Sequence, residues 1–255
     1  MNALFAVAYA LLSYAVFVVS FLYAVGFVGN MVVPKSIDVG AGGAPLAQAL
    51  IVDLLLLALF AVQHSVMARP AFKRWWTSFV PKSVERSTYV LFASLTLLLL
   101  YWQWQPMPAT VWNVEHPLAV LALQIVFWGG FALVLASSFL INHLELFGLS
   151  QVLARVSGDE PAPPVFRTPL LYRHVRHPLY LGFLLAFWAA PVMSIGHLLF
   201  AIATSGYILI GIWFEERDLV DQFGDRYRRY REQVAMLLPL PGSKARRRSS
   251  LEKSA

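Results

Sequence analysis

The sequence predicts an all-α, polytopic transmembrane helical bundle, and three observations carry that prediction. First, mean hydropathy is +0.63. Only 13% of the 255 residues are charged while 58% are hydrophobic, about half the charged share of a soluble domain. Such a chain cannot cover its surface with polar groups, so a bilayer must solvate part of it. Second, the apolar residues come in runs of about 20, the length a helix needs to cross the hydrocarbon core. Third, nineteen of the twenty Lys and Arg residues fall on one side of the resulting topology.

The first run, Leu4–Val28, has no basic leader and exceeds the roughly 7–15 residues of a signal-peptide core, so it reads as a retained helix. Leu46–Met67, Tyr89–Trp104 and Leu118–Ile141 follow as spans two to four. The tract Leu179–Phe214 is too long for one span, and Pro191, Ser194 and Gly196 interrupt it. A tight helical hairpin is expected there, its last helix reaching Glu215. The count is five spans, or six if the hairpin crosses fully. Residues 1–241 form a single domain, and 242–255, with Arg246–Arg247–Arg248, read as a basic disordered tail near anionic headgroups.

The basic residues test this layout. Five lie between spans two and three (Arg69, Lys73, Arg74, Lys82, Arg86), four before the hairpin (Arg155, Arg167, Arg173, Arg176) and ten from Arg217 onward. Lys35 alone falls opposite. Both termini are therefore expected in the cytosol, as the positive-inside rule requires. The net charge of +6 needs no nucleic acid to explain it. Trp75, Trp76, Trp102, Trp104 and Trp112 read as interfacial belts. The absence of cysteine excludes disulfides, thiolate metal sites and covalent catalysis through a protein thiol, and no convincing metal cluster is visible.

Ionisable groups inside spans are costly and mark candidate functional positions. Span two carries Asp53 and His64, eleven residues and three turns apart on one face, about 16 Å along the axis. Span four ends in Asn142-His143-Leu144-Glu145. The hairpin begins at Tyr172-Arg173-His174-Val175-Arg176-His177-Pro178 and ends at Glu215-Glu216-Arg217-Asp218. Pro178 suits the first turn of a helix, where the missing N–H is not needed. Most of these polar groups converge on the cytosolic boundary, where a water-soluble cofactor could meet a membrane-permeant substrate. Taken singly, each has a bland reading too: a headgroup anchor for the arginines, a surface ion partner for the glutamates, an interhelical hydrogen bond for His64 or Asp53.

The run Arg176-His177-Pro178-Leu179-Tyr180-Leu181-Gly182, an apolar hairpin, then Glu215-Glu216-Arg217-Asp218-Leu219 and Phe223-Gly224-Asp225-Arg226-Tyr227-Arg228-Arg229-Tyr230 resembles the isoprenylcysteine carboxyl methyltransferase superfamily. Gln63-His64-Ser65-Val66-Met67-Ala68-Arg69-Pro70, Glu85-Arg86-Ser87-Thr88-Tyr89 and Asn142-His143-Leu144-Glu145-Leu146-Phe147-Gly148-Leu149 narrow this. They are similar to bacterial methanethiol S-methyltransferases and NnrU-like membrane proteins, over nearly the whole chain to about Pro241. One departure follows Tyr230, where the superfamily often has Val-Pro-Arg and this chain has Val234-Ala235-Met236.

The resemblance implies S-adenosyl-L-methionine as cofactor, seated by the hairpin and the C-terminal segment. Arg173, Arg176 and His177 are the candidates for its carboxylate, Glu215 and Glu216 for its ribose or ammonium, and Tyr180, Tyr227 and Tyr230 for its adenine, with His174 a further cofactor-binding candidate. It also implies a small thiol acceptor. A thiol with a Cys-like pKa of about 8.5 is mostly protonated near neutrality, so a base is needed. His64 is the candidate, oriented by Glu145 or Asp53, with His143 second. Two other readings stand beside this one: a prenyl-thiol carboxylate or lipid amine as acceptor, and a haem, quinone or carrier protein using His64 and His143.

Overall fold

The computed structural model describes residues 2–40, 43–158 and 166–238; the expected basic tail lies outside them. Along the chain run α1 (Ala3–Gly29), α2 (Leu46–Ala68), α3 (Pro70–Trp76), α4 (Lys82–Gln103), β1 (Thr110–Asn113), α5 (Pro117–Ile141), α6 (His143–Leu146), α7 (Leu149–Ser157), a 3-10 turn (Leu170–Arg173), α8 (Pro178–Trp188), β2 (Val192–Ser194), α9 (Ile195–Phe223) and α10 (Asp225–Gln233). Five of these helices, α1, α2, α4, α5 and α9, are long and apolar enough to cross a membrane.

Local chemistry sets several boundaries. The Asn2 side chain accepts the Leu4 amide and starts α1. Pro117 and Pro178 occupy the first turns of α5 and α8, where no N–H is required. Ser194 caps α9 by accepting the His197 amide at 3.0 Å. Two expected boundaries move. The third span starts at Lys82 rather than Tyr89, because its polar first turns stay helical beyond the apolar stretch. The last helix passes Glu215 and ends at Phe223.

The hairpin breaks between residues 188 and 195, where the proline and small residues predict it. With 11 residues, α8 is about 16 Å long, half the thickness of a bilayer core. The return segment is not helical, and bare backbone groups at such a depth would be costly. A short ribbon the composition does not announce satisfies them. β1 pairs antiparallel with β2, Trp112 opposite Met193 and Asn113 opposite Val192, and the Val114 and Ile195 amides donate to Pro191 and Ala109. The molecule therefore has a ribbon end and, opposite it, an Arg-rich end.

The interior is aromatic: Phe27, Tyr101, Trp104, Phe127, Phe131, Phe187 and Phe200 form its main cluster. Trp104 corrects the expected belt. It is fully buried, set edge-on to Phe27 and Phe200 at 5.7 and 5.9 Å, with its indole N–H donated to the Ile37 carbonyl. Trp75 and Trp102 are exposed. So are Leu55, Val62, Leu121, Ile125, Leu209 and Ile210 along the long helices, an outward apolar face that a bilayer would solvate.

Helix α8 packs most extensively on α5, and one residue of the resemblance motif explains how. A Cβ added to Gly182 would lie 2.6 Å from the Gly130 carbonyl oxygen, and one added to Gly130 would lie 2.6 Å from the Gly182 oxygen. Two backbones in contact need small residues at the crossing. Gly182→Val is expected to force α5 and α8 apart at about 1–3 kcal/mol. It should lower the thermal transition in detergent, whereas Gly129→Val, in open space, should leave the transition within a degree or two.

Candidate active site

At the Arg-rich end, the two arms of the hairpin are clasped together. Arg176 Nε donates to Glu216 Oε1 at 2.7 Å and His177 Nε2 lies 3.1 Å from the same oxygen. Tyr180 donates its hydroxyl to Glu215 Oε2 at 2.8 Å, and His177 Nδ1 is 3.9 Å from that oxygen. Carboxylates on consecutive residues of α9 thus meet the first turn of α8 together. A third strand of chain closes the clasp. The Arg176 and His177 amides donate to the Ala235 and Met236 carbonyls at 2.8 and 3.1 Å. Arg176 Nη1 donates to the Arg231 and Val234 carbonyls. The Arg176 and Glu216 side chains are 9% and 12% exposed, so this is a buried ion pair.

Around it stand aromatic side chains. Phe166 lies 5.9 and 5.3 Å from the rings of Tyr227 and Tyr230, and the Tyr230 hydroxyl donates to the Tyr172 carbonyl at 2.5 Å. Burial pushes the Tyr230 hydroxyl up to about 12. Burial, reinforced by the nearby glutamates, raises Tyr172 and Tyr227 as well. These phenols stay protonated, and those of Tyr172 and Tyr230 donate to the Ser137 and Tyr172 carbonyls. Arg231 is half exposed, 3.9 Å from Glu216 Oε2. Of the expected cofactor residues, the fold gathers Arg176, His177, Tyr180, Glu215, Glu216, Tyr227 and Tyr230. Arg173 and His174 are exposed and engage the nearby carbonyls of Thr168 and Leu170.

A second constellation surrounds His64 near the end of α2. Its Nε2 is 2.7 Å from the Tyr89 hydroxyl. Phe60 stacks on the ring at 5.2 Å and Tyr207 meets it edge-on at 6.3 Å. His64 Nδ1 is buried without a hydrogen-bond partner. The side chain bonded to His64 is thus a phenol from α4, whereas Glu145 and Asp53, the expected orienting partners, are engaged elsewhere. Glu145 is exposed and accepts from the Asn142 amide side chain. Asp53 is fully buried toward the ribbon end, where its Oδ1 accepts the Gln105 amide at 2.8 Å. The shared face of α2 is real, but the axial separation keeps Asp53 out of the His64 cluster. Arg69, at the end of α2, links the two constellations: its Nη1 lies 3.2 Å from Asp218 Oδ2 and its guanidinium covers the Phe214 ring at 4.8 Å, on either side of Glu215 and Glu216.

His143 differs from His64 in having both nitrogens engaged. Ser138 spends its one hydroxyl hydrogen on the Leu135 carbonyl at 2.8 Å, so it must accept from His143 Nδ1–H at 3.0 Å. Nε2 is then the bare nitrogen and accepts from Tyr14 at 2.7 Å. Burial lowers the His143 imidazole below its usual value, in keeping with a neutral ring.

The motif segments around it form a joint. Arg86 Nε donates to the Leu146 carbonyl at 2.9 Å, and its guanidinium covers the Tyr89 ring at 4.9 Å. Gly148, at φ 85°, lies so near Ser87 that a Cβ would come 2.6 Å from the Ser87 amide. Sequence reasoning missed Tyr89, Tyr172, Tyr207 and Arg231 as site residues. Tyr207 carried a signal, the one phenol of α9, set just after Thr204 and Ser205 in a mainly apolar stretch. Among the described residues, no group of three or more His, Asp or Glu could hold a metal ion.

Comparison with known proteins agrees with the motifs. The NnrU protein family matches residues 53–225. Methanethiol S-methyltransferase 1 of Bradyrhizobium diazoefficiens is 60% identical over 91% of this chain and 81% of its own length. Methanethiol S-methyltransferase of Mycobacterium tuberculosis is 59% identical over 91% of this chain and 95% of its own. More distantly, Nurim of Mus musculus is 33% identical over 66% of each chain. No solved structure matches.

Proposed function

The chain belongs to the NnrU protein family, and from that premise we propose that it methylates a small thiol, methanethiol to dimethyl sulfide, using S-adenosyl-L-methionine at the cytosolic boundary of the membrane. The observation that carries the proposal is the pairing of α2 with α9: Tyr207 meets His64 edge-on at 6.3 Å, and Arg69 Nη1 lies 3.2 Å from Asp218 Oδ2, two residues beyond Glu216 of the clasp. A seat for a donor and a base for an acceptor then adjoin. The names of the relatives that share about 60% of the sequence point to the same acceptor. The distribution of arginines supports placing the Arg-rich end, with both termini, in the cytosol.

The clasp residues fit the donor's chemistry. Glu215, 44% exposed, offers a carboxylate for an ammonium or a ribose diol. Arg231 offers a cation for a carboxylate, and Phe166 and Tyr230 an aromatic surface for adenine, backed by the buried Tyr227 ring. Arg176, spent on Glu216 and two carbonyls, holds the C-terminal segment in place, and His177 fixes the Glu216 carboxylate. When bound, the cofactor supplies an electrophilic methyl group on a sulfonium.

The chain's own work is done at His64. In the reactive tautomer Nε2–H donates to Tyr89, and Nδ1 presents its lone pair to the thiol proton. Phe60 and Tyr207 keep water from the developing thiolate, which strengthens its attraction to a cationic methyl donor. The deciding assay incubates detergent-solubilised protein with S-adenosylmethionine and methanethiol and reads dimethyl sulfide in the headspace. Its absence, with a folded protein in hand, overturns the proposal.

A further inference from the structure

We infer that Tyr207 sets the upper size of the methyl acceptor, as the yielding wall of an aromatic box around His64. This rests on reading His64 as the base. An acceptor sulfur must come within hydrogen-bond reach of His64 Nδ1, the ring nitrogen left without a partner. Its substituent then meets the rings around it.

Two of those rings are fixed. Phe60 sits one turn before His64 on the same helix, so the backbone sets their 5.2 Å spacing. Tyr89 is tied to His64 by a 2.7 Å hydrogen bond, with ring centroids 4.9 Å apart. Tyr207 comes from another helix, α9, and sets its ring edge-on to both His64 and Phe60, at 6.3 and 6.0 Å. Its hydrogen bond to α2 comes from Ser65 Oγ at 3.5 Å, the outer limit of such a bond. An alkyl group longer than methyl therefore displaces Tyr207 before it disturbs the other walls. The wall and the clasp share one helix, since Glu215 and Glu216 follow Tyr207 about two turns later on α9. The acceptor class is then the shortest alkanethiols, because each added methylene that must fit against these rings changes discrimination by about 10- to 200-fold.

The test measures kcat/KM for methanethiol, ethanethiol and 1-butanethiol on the wild type, Tyr207→Ala and Tyr207→Phe. The wild type should lose at least about 10-fold per added methylene. Tyr207→Ala should flatten that profile, raising butanethiol relative to methanethiol by about 100-fold or more. Tyr207→Phe keeps the ring and should keep the wild-type order. If Tyr207→Ala loses its thermal transition, Tyr207→Leu carries the same comparison with more apolar bulk retained. An alanine or leucine variant with the wild-type chain-length profile overturns the inference alone. A wild type inactive on every thiol overturns the underlying reading instead.

Discussion

Replacing His64 by alanine is expected to lower the turnover of methanethiol by about 100- to 10,000-fold, the range for loss of a general base. Affinity for S-adenosylmethionine should change by no more than a few-fold. The split follows from position. His64 lies on α2, its ring against those of Phe60 and Tyr207, whereas the clasp is built by α8, α9 and the segment after α10. A base must be unprotonated to act, so wild-type kcat/KM should rise with pH through the imidazole titration and then level off. In the variant, the pH dependence that remains should be that of the thiol, still rising above the Cys value of about 8.5. His143→Ala is the informative control. Both nitrogens of His143 are spent on Tyr14 and Ser138, so its loss should lower stability more than turnover. Wild-type turnover in the His64 variant at pH 7 removes His64 from the reaction.

The second large effect is expected at Glu216. Its Oε1 accepts from both Arg176 and His177 in a site that is about nine-tenths buried. Glu216→Leu leaves a buried guanidinium without its counter-charge, which costs about 3–5 kcal/mol when one partner of such a pair is removed. Arg176 also holds the Arg231 and Val234 carbonyls, so the strain should spread to α10. Calorimetry should then find no measurable binding of S-adenosylmethionine, and the thermal transition in detergent should fall. The double variant Arg176→Leu/Glu216→Leu should be less destabilised than the sum of its singles, since residues sharing one network are not additive. Unchanged stability together with unchanged cofactor affinity in Glu216→Leu would show that the clasp is neither a structural nor a binding element.

The apolar runs and the one-sided arginines determine the helices, the hairpin and its breakpoint, because those properties are local: twenty apolar residues must be helical in lipid, and charge is counted along the chain. The hairpin arms were legible as a pair for the same reason, each a short motif at a helix end. What the residues on either side of His64 could not reveal is its partner. Tyr89 lies on another helix, and only the packing of α2 against α4 brings its hydroxyl within 2.7 Å. Asp53 shares a helical face with His64, yet a straight helix holds the two at opposite ends of the bundle.

Sequence by itself thus determined a membrane-embedded helical protein with a basic, motif-rich end, since periodicity and composition act through near neighbours. Only the tertiary structure decided which titratable groups are spent and which are free. Arg176 is consumed by Glu216 and the returning chain, His143 by Tyr14 and Ser138, and His64 Nδ1 is left without a partner. Hydrogen bonds between helices depend on crossing geometry, set here by the Gly130–Gly182 contact and the β1–β2 ribbon, and no window of consecutive residues contains that geometry.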